Sequence, residues 1–290
     1  MKLIPNVEIE PFYKIAWVSQ SARTEWEQVI RDASMMIQNL EVVSVERGQR
    51  PCSWQTIRED QFSEYSIRWA EKGIVSIPVK RVGNFKGFAH KHLPVKPGEI
   101  ALLCVILVRD LKDALKYMDA FKRNDNVVQG ELLGFPKCCS EFFEKNWKGG
   151  FFDPMWQTAE NTLNLIGEAT VLRMSAHPFS NPLLRYGGIR IGFHIPCSFS
   201  CEKTISSGQE RYDLGCEFNR PLMEKIKFLL SMPMSWNCYH GVAEIRTPIF
   251  YMVSSSVPAV EKCVVEIEGS EMPAESVAGG VFPFSEVPRE

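Results

Sequence analysis

The sequence predicts an α/β fold, a mixed sheet flanked by helices, with cysteine-bearing helix N-termini meeting at one site. Two observations predict it. Residues 99–108 form a strongly apolar run that fits a buried central strand, and residues 110–121 directly after it carry apolar side chains at helical spacing. Strand followed by helix is the local signature of an α/β layer. The second observation is a pair of later stretches, Leu133-Gly134-Phe135-Pro136-Lys137-Cys138-Cys139 and Phe193-His194-Ile195-Pro196-Cys197-Ser198-Phe199-Ser200-Cys201. Each runs from an apolar segment or turn through a proline into cysteines and a helix-like pattern.

Taken in order, residues 14–19 read as a short strand. Ser21 reads as the cap of a helix to about Leu40, with Val29, Ala33, Met36, Ile37 and Leu40 on its apolar face. Residues 41–45 are expected as a strand. Residues 60–72 look helical, with Phe62, Tyr65, Ile67, Trp69 and Ala70 near one side, and Gly73 ends them before a strand over 74–79. The next loop is basic, with Lys80, Arg81, Lys86, His90, Lys91 and His92. Such a loop can receive an anionic group or simply face water. In the helix over 110–121, Leu111, Ala114, Leu115, Met118 and Phe121 are expected inward, and a short helix over 126–133 is expected to end on a left-handed Gly134.

A helix from Pro136 is expected to reach about Trp147, with a break at Gly149-Gly150. Residues 154–174 read as one long helix, and Pro178 and Pro182 mark an irregular crossing. Residues 189–194 read as a strand that delivers His194 and Cys197 to its carboxyl end, where ligands bind in open α/β sheets. Residues 197–215 read as a helix that breaks before Cys216 or at Pro221, with a further helix over 222–230. A polar-aromatic knot follows, holding Trp236, Cys238, His240 and Glu244. Residues 242–254 look like two strands broken at Thr247-Pro248, and 262–267 like another. The expected organisation is a single domain over 1–268, subdivided into an N-terminal lobe (1–125) and a cysteine-bearing lobe (126–268). A loosely ordered Ser-, Glu-, Pro- and Gly-rich tail is expected over 269–290.

A net charge of −2 gives no global signature for nucleic acid, and no membrane partner is expected. The longest apolar run, residues 100–108, is about half of a membrane span, and the N-terminus has no long apolar core of a signal peptide. A soluble, cytoplasmic protein is expected. Nine cysteines without a compact small-domain framework point to thiols rather than disulfides, some of them binding metal or doing redox chemistry.

Proline is favoured at the first position of a helix. Pro136 and Pro196 are therefore expected there, which puts Cys138, Cys139 and Cys197 in first helical turns. Backbone N–H groups and the helix dipole lower a thiol pKa in that position. Cys197 and Cys201, four apart, would share a helix face. Of the adjacent pair Cys138 and Cys139, one can point straight at that face, and the other needs an irregular turn or a second role. Cys104 is assigned to the core. Cys52, in an early polar loop, and Cys263, in a late strand, receive no role. Cys216 lies about 22 Å beyond Cys201 along a straight helix, so it joins only if the helix breaks first.

Three or four thiolates suit an iron–sulfur cluster or zinc. The vicinal pair and the Cys-x3-Cys spacing are not standard zinc knuckles, so a [4Fe–4S] cluster held by Cys138, Cys197 and Cys201, with Cys139 as a fourth ligand or redox partner, is the leading expectation; with three ligands one iron stays open. Zinc or mononuclear iron, a metal-free thiol pair, and plain core cysteines remain open beside it. No Cys-x3-Cys-x2-Cys triad, phosphate loop, dinucleotide fingerprint, Gly-x-Ser-x-Gly or His-Glu-x-x-His is present.

The residues Gly134-Phe135-Pro136-Lys137-Cys138-Cys139 and His194-Ile195-Pro196-Cys197-Ser198-x-x-Cys201 resemble the pattern of an uncharacterised bacterial and archaeal family, Leu-Gly-Tyr/Phe-Pro-x-Cys-Cys followed by His-x-Pro-Cys-Ser-x-x-Cys. The likeness covers the middle third of the chain and implies that these cysteines act together, without naming a reaction. A looser likeness links the vicinal cysteines to the iron–sulfur epoxyqueuosine reductases, whose surrounding sequence differs.

The functional expectation is an iron–sulfur enzyme acting on a small anionic metabolite by Lewis-acid, sulfur-transfer or reductive chemistry at an open iron. His194, His240 and Glu244 are its candidate ligand or acid–base groups. Lys137, Arg190 and Trp236 are its candidate substrate contacts, and an electron or sulfur donor protein is its expected partner. The alternatives are a zinc- or iron-dependent hydrolase or lyase, and a binding or adaptor protein that uses metal to hold its fold.

Overall fold

The computed structural model describes residues 13–83, 93–150, 154–164, 166–168, 170–239, 242–255 and 263–270. In chain order the elements are β1 (Tyr13–Trp17), α1 (Gln20–Glu46), β2 (Cys52–Arg58), α2 (Phe62–Ala70), β3 (Val75–Val82), β4 (Leu102–Val108), α3 (Leu111–Lys122), α4 (Asn126–Leu132) and α5 (Lys137–Lys148). They continue with α6 (Met155–Glu160), β5 (Ile166–Glu168), β6 (Val171–Ser175), α7 (Glu202–Ser231), β7 (Met234–Tyr239), β8 (Val242–Arg246), β9 (Phe250–Ser255) and β10 (Cys263–Glu268). Among these residues, those up to Ile37 and those from Pro154 on form one compact unit, and those from Gln38 to Gly150 form another. The fold is α/β, with one mixed sheet and one antiparallel sheet.

The unit from Gln38 to Gly150 is built on an antiparallel sheet in the order β2-β4-β3. Its central strand β4 is covered on both faces, which is why its sequence is continuously apolar rather than alternating. Leu103, Val105 and Leu107 pack with Val45, Trp69 and Ile74 on one side. Ile106 and Val108 pack with Cys52, Ala114 and Tyr117 on the other. Cys104 is fully buried, as expected of a core cysteine.

Several expectations for this part of the chain are corrected. The cap of α1 is Ser19, whose hydroxyl accepts the Ala22 N–H at 3.0 Å. Residues 41–45 continue α1 instead of forming a strand. Glu41, Val43, Ser44 and Val45 are all buried, so the β-branched residues fill a wide core-facing stripe and packing overrides local propensity. Cys52 is not in a loop. It is a fully buried residue of β2, and burial pushes its thiol up to about 12. In α3, Leu111 and Leu115 are 57% and 71% exposed, while Ala114, Tyr117 and Ala120 face inward. Two alanines let the helix approach the sheet, and Tyr117 fills the remaining space. Lys80 and Arg81 belong to β3, where Arg81 pairs with Glu59 at 2.9 Å on the surface. Lys86, His90, Lys91 and His92 lie outside the described residues.

The other unit holds a seven-stranded sheet in the order β1-β9-β8-β7-β10-β6-β5. All of its pairings are antiparallel except β10 with β6. Helix α6 packs against β10 and β6, and α7 packs against the 3-10 turn Pro178–Ser180. That approach is close: a Cβ on Gly208 of α7 would lie 2.5 Å from the Cβ of Phe179. The ring of Phe179 stacks on Tyr212 with centroids 5.2 Å apart.

The long helix expected over 154–174 stops at Glu160, and β5 and β6 follow as a hairpin. Asn164 takes a left-handed φ of 59°, and Gly167 lies so close to the Val171 carbonyl that only glycine fits. Residues 189–194 form no strand. They run as a bent segment that is buried at Ile189 and continuously from Ile191 to His194, so their apolar character reports burial in the core, not sheet pairing. Helix α7 breaks at the second of the two expected places. Asn219 leaves helical geometry (φ −155°, ψ 84°) just before Pro221, and its side chain accepts the Leu222 N–H at 3.1 Å. The expected knot over 234–244 is the β7–β8 hairpin, and the break at Thr247-Pro248 separates β8 from β9. Residues 271–290, most of the expected tail, lie outside the described residues. No helix among the described residues is long and apolar enough to cross a membrane.

Candidate metal centre

Cys138 and Cys139 are presented by the turn between α4 and α5. Asp125 caps α4 by accepting the Val128 N–H at 3.1 Å, and Gly134 ends it with a φ of 72°. Pro136 occupies the N-cap of α5, one place earlier than expected, so Cys138 and Cys139 are its second and third residues. Arg50 fixes the turn from beneath. It is 5% exposed, donates to the Leu133 carbonyl at 3.3 Å and to the Glu41 carbonyl at 2.9 Å, and lies 3.5 Å from the Glu41 carboxylate. Its stem occupies the space a side chain on Gly134 would need. The Pro136 carbonyl accepts the N–H groups of Cys139 and Ser140 at 2.9 and 3.0 Å. Cys139 is buried, Cys138 is half-buried, and their sulfurs stand 3.9 Å apart.

Cys197 and Cys201 are held differently from expectation. Pro196 does not start a helix, and Cys197 lies in an irregular turn rather than a first helical turn. Cys201 is the N-cap of α7, and its N–H bonds the Ser198 carbonyl at 3.2 Å. The two therefore share a loop and not a helix face. Buried hydroxyls fix that loop. Thr158 of α6 donates to the Pro196 carbonyl at 2.9 Å, with the Pro154 carbonyl at 3.0 Å from the same oxygen. Thr162 accepts the Phe199 N–H at 3.0 Å, and Ser180 donates to the Phe199 carbonyl.

The four thiols meet. The sulfur atoms of Cys138, Cys139, Cys197 and Cys201 all lie within 4.8 Å of one another, a group that can hold a metal ion. No disulfide joins any of the nine cysteines, all of which are described. A tetrahedral thiolate site with metal–sulfur bonds of about 2.3 Å has sulfur–sulfur edges of roughly 3.8 Å. The observed spacing therefore needs only small adjustment to close on one ion.

His194 is not part of this sulfur group. Its Nε2 lies 2.9 Å from the Thr204 hydroxyl. Burial first, and then the charge of Arg211, lowers its pKa to about 3 against an opposing effect of Cys201, so the ring is neutral at ordinary pH. The Arg211 guanidinium is itself buried and stacks 4.3 Å over the Phe193 ring. Of the other candidates, Lys137 is exposed and lies 3.8 Å from Glu141. Trp236 is 2% exposed with its indole N–H on the Tyr186 hydroxyl at 3.0 Å. Glu244 pairs with Arg246 at 3.3 Å on β8, and Arg190 is half-buried. His240 lies outside the described residues.

The residues that sequence reasoning missed are the supports: Arg50, Thr158, Thr162, Ser180 and Thr204. Each acts through hydrogen bonds to backbone or ring atoms, most of them distant in sequence or across a helix turn, and no spacing advertises such contacts. No protein-family model, curated protein or solved structure matches the chain. The family likeness of the two cysteine motifs thus rests on those residues alone.

Proposed function

We propose that the chain is a thiolate metalloprotein in which Cys138, Cys139, Cys197 and Cys201 hold one tetrahedral ion, zinc or iron. The mutual sulfur spacing of 4.8 Å or less carries this reading. A four-iron cluster interposes a body wider than one atom between its thiolates and needs them further apart. Four protein thiolates on one ion leave no position for a substrate, which is the pattern of structural sites. In this reading the ion fixes the Pro136 turn and the Pro196 loop, and the chain acts as a metal-stabilised binding protein.

A second reading follows from the Cys138–Cys139 pair. Adjacent residues of a regular helix point about 100° apart, given roughly 3.6 residues per turn, and although the two sulfurs stand 3.9 Å apart, Cys138 is half-buried and Cys139 buried, so the pair is not equivalent. If Cys139 stands aside as a redox partner, three thiolates remain for an iron–sulfur centre with one iron open. That centre would supply Lewis-acid, sulfur-transfer or reductive chemistry toward a small anionic metabolite. An electron or sulfur donor protein would serve it, and His194, His240, Glu244, Lys137, Arg190 and Trp236 would be the residues to test around it.

Protein purified without oxygen and assayed for zinc, iron and acid-labile sulfide separates the readings. One ion per chain without sulfide supports the single-ion site. About four irons and four sulfides with broad absorption near 400 nm supports the cluster. Protein that refuses both metals in every preparation sinks both. Cys201→Ser should lose the bound metal in either case, and a fully loaded variant would remove Cys201 from the ligand set.

A further inference from the structure

We propose that Cys238 and Cys263 form a second dithiol, a redox modification site that closes to a cross-strand disulfide under a small disulfide oxidant of the glutathione type. The two cysteines are register partners, directly opposite each other on the antiparallel strands β7 and β10. Directly opposed residues in an antiparallel ladder have Cα atoms about 4.5 or 5.5 Å apart, depending on whether the pair is hydrogen-bonded. Both values fall inside the range of roughly 4.4–6.8 Å found for disulfides. The backbone therefore meets the separation requirement without moving.

Side-chain direction agrees. Cys238 alternates with Asn237 and Tyr239 and shares its face with Trp236 and Met234, all three of that set being buried. Cys263 shares its face with Val265 and Ile267, again all buried. Both thiols thus point to the core side of the sheet, next to each other. The row they occupy continues across β8 and β9 with Ala243 and Ser254, so small side chains surround the position. The rung is also the end of its ladder: Cys263 is the first residue of β10, and Cys238 is the last but one of β7. A reagent needs only the strand end to open, and local opening is cheapest at element ends.

The chemistry balances. The Cys263 thiolate attacks one sulfur of the oxidant, forms a mixed disulfide and releases one small thiol. The Cys238 thiolate attacks the Cys263 sulfur, the Cys238–Cys263 bond forms, and the second small thiol leaves. Two electrons pass from the protein pair to the oxidant, and the two protein protons end on the released thiols. None of this uses Cys138, Cys139, Cys197 or Cys201, so the proposal stands or falls apart from the metal reading.

Trypsin cuts after Lys227, Arg246 and Lys262, which places Cys238 on peptide 228–246 and Cys263 on peptide 263–289, each as its single cysteine. The full chain, as purified, is incubated with oxidised glutathione, alkylated without reductant, digested and analysed by mass spectrometry. The linked peptide pair should accumulate while both alkylated peptides fall together, and dithiothreitol should reverse this. In Cys238→Ser the Cys263 peptide should stop at the glutathione adduct. Full alkylation of both peptides under conditions that glutathionylate the half-buried Cys216 would overturn the proposal. So would linkage that appears only in urea, or pairing of either cysteine with another partner.

Discussion

Gly134 carries a φ of 72° in a place where its missing side chain matters twice. A left-handed conformation costs most other residues roughly 1–2 kcal/mol, and a Cβ here would approach the Cβ of Arg50 to 2.9 Å. Gly134→Ala should therefore lower the unfolding free energy by about 1–3 kcal/mol in a urea titration. An unchanged midpoint would show that the turn before Cys138 is not tightly specified. The same residue scale separates two kinds of cysteine. Cys52 is buried among apolar neighbours, and burial raises its thiol far above the ordinary range, which makes it inert. Cys201 is buried too, but at a helix N-cap among other thiols.

At the scale of elements, α6 is short, six residues, yet one of its hydroxyls carries the loop of Cys197 and Cys201. Replacing Thr158 by Val keeps the volume and takes the hydroxyl from the buried Pro196 carbonyl, while the Pro154 carbonyl keeps the Thr158 N–H at 2.9 Å. The expected cost is about 1–3 kcal/mol of stability. Because the loop presents two candidate ligands, metal affinity should also fall by about 10–100-fold, as for other groups that orient ligands, measured by competition with a chromogenic chelator. A Thr158→Val protein with native affinity would show that the loop is fixed by other means.

The elements also show what the sequence discloses and what it hides. The apolar run of β4, the helix α3 that follows it and the left-handed Gly134 were legible because each rests on a local pattern. The extension of α1 through residue 46 was not, since Val42, Val43 and Val45 read as a strand until their neighbours are known. The hairpin β5–β6 hid inside an apparent helix for the same reason: a six-residue helix and two short strands carry too few residues to establish a period. For the site, proline followed by cysteine marked four residues whose sulfurs lie together. The geometry around them did not follow, because Pro196 opens a loop fastened by Thr158, Thr162 and Ser180, whose contacts are long-range in sequence.

For the whole molecule, a metal held by the four-sulfur group would tie the stability of the native chain to that ion. An ion present at about a thousand times its dissociation constant contributes about 4 kcal/mol. Stripping it with a strong chelator under reducing conditions should lower the thermal midpoint by roughly 10 °C, taking about 2–4 °C per kcal/mol. Restoring the ion should restore the midpoint. A chain whose melting ignores both treatments would have cysteines that hold no metal of structural weight.

The position of β10 in the large sheet has a consequence for biosynthesis. This strand joins β7 on one side to β6 on the other, and it is the last strand in chain order among the described residues. Until residues 263–268 have left the ribosome, β1, β9, β8 and β7 can form one ribbon and β6 with β5 another, with two open edges facing the gap between them. Such edges invite pairing with other chains. The nascent protein is therefore vulnerable just before β10 emerges, and that strand joins the two ribbons and covers the two edges between them.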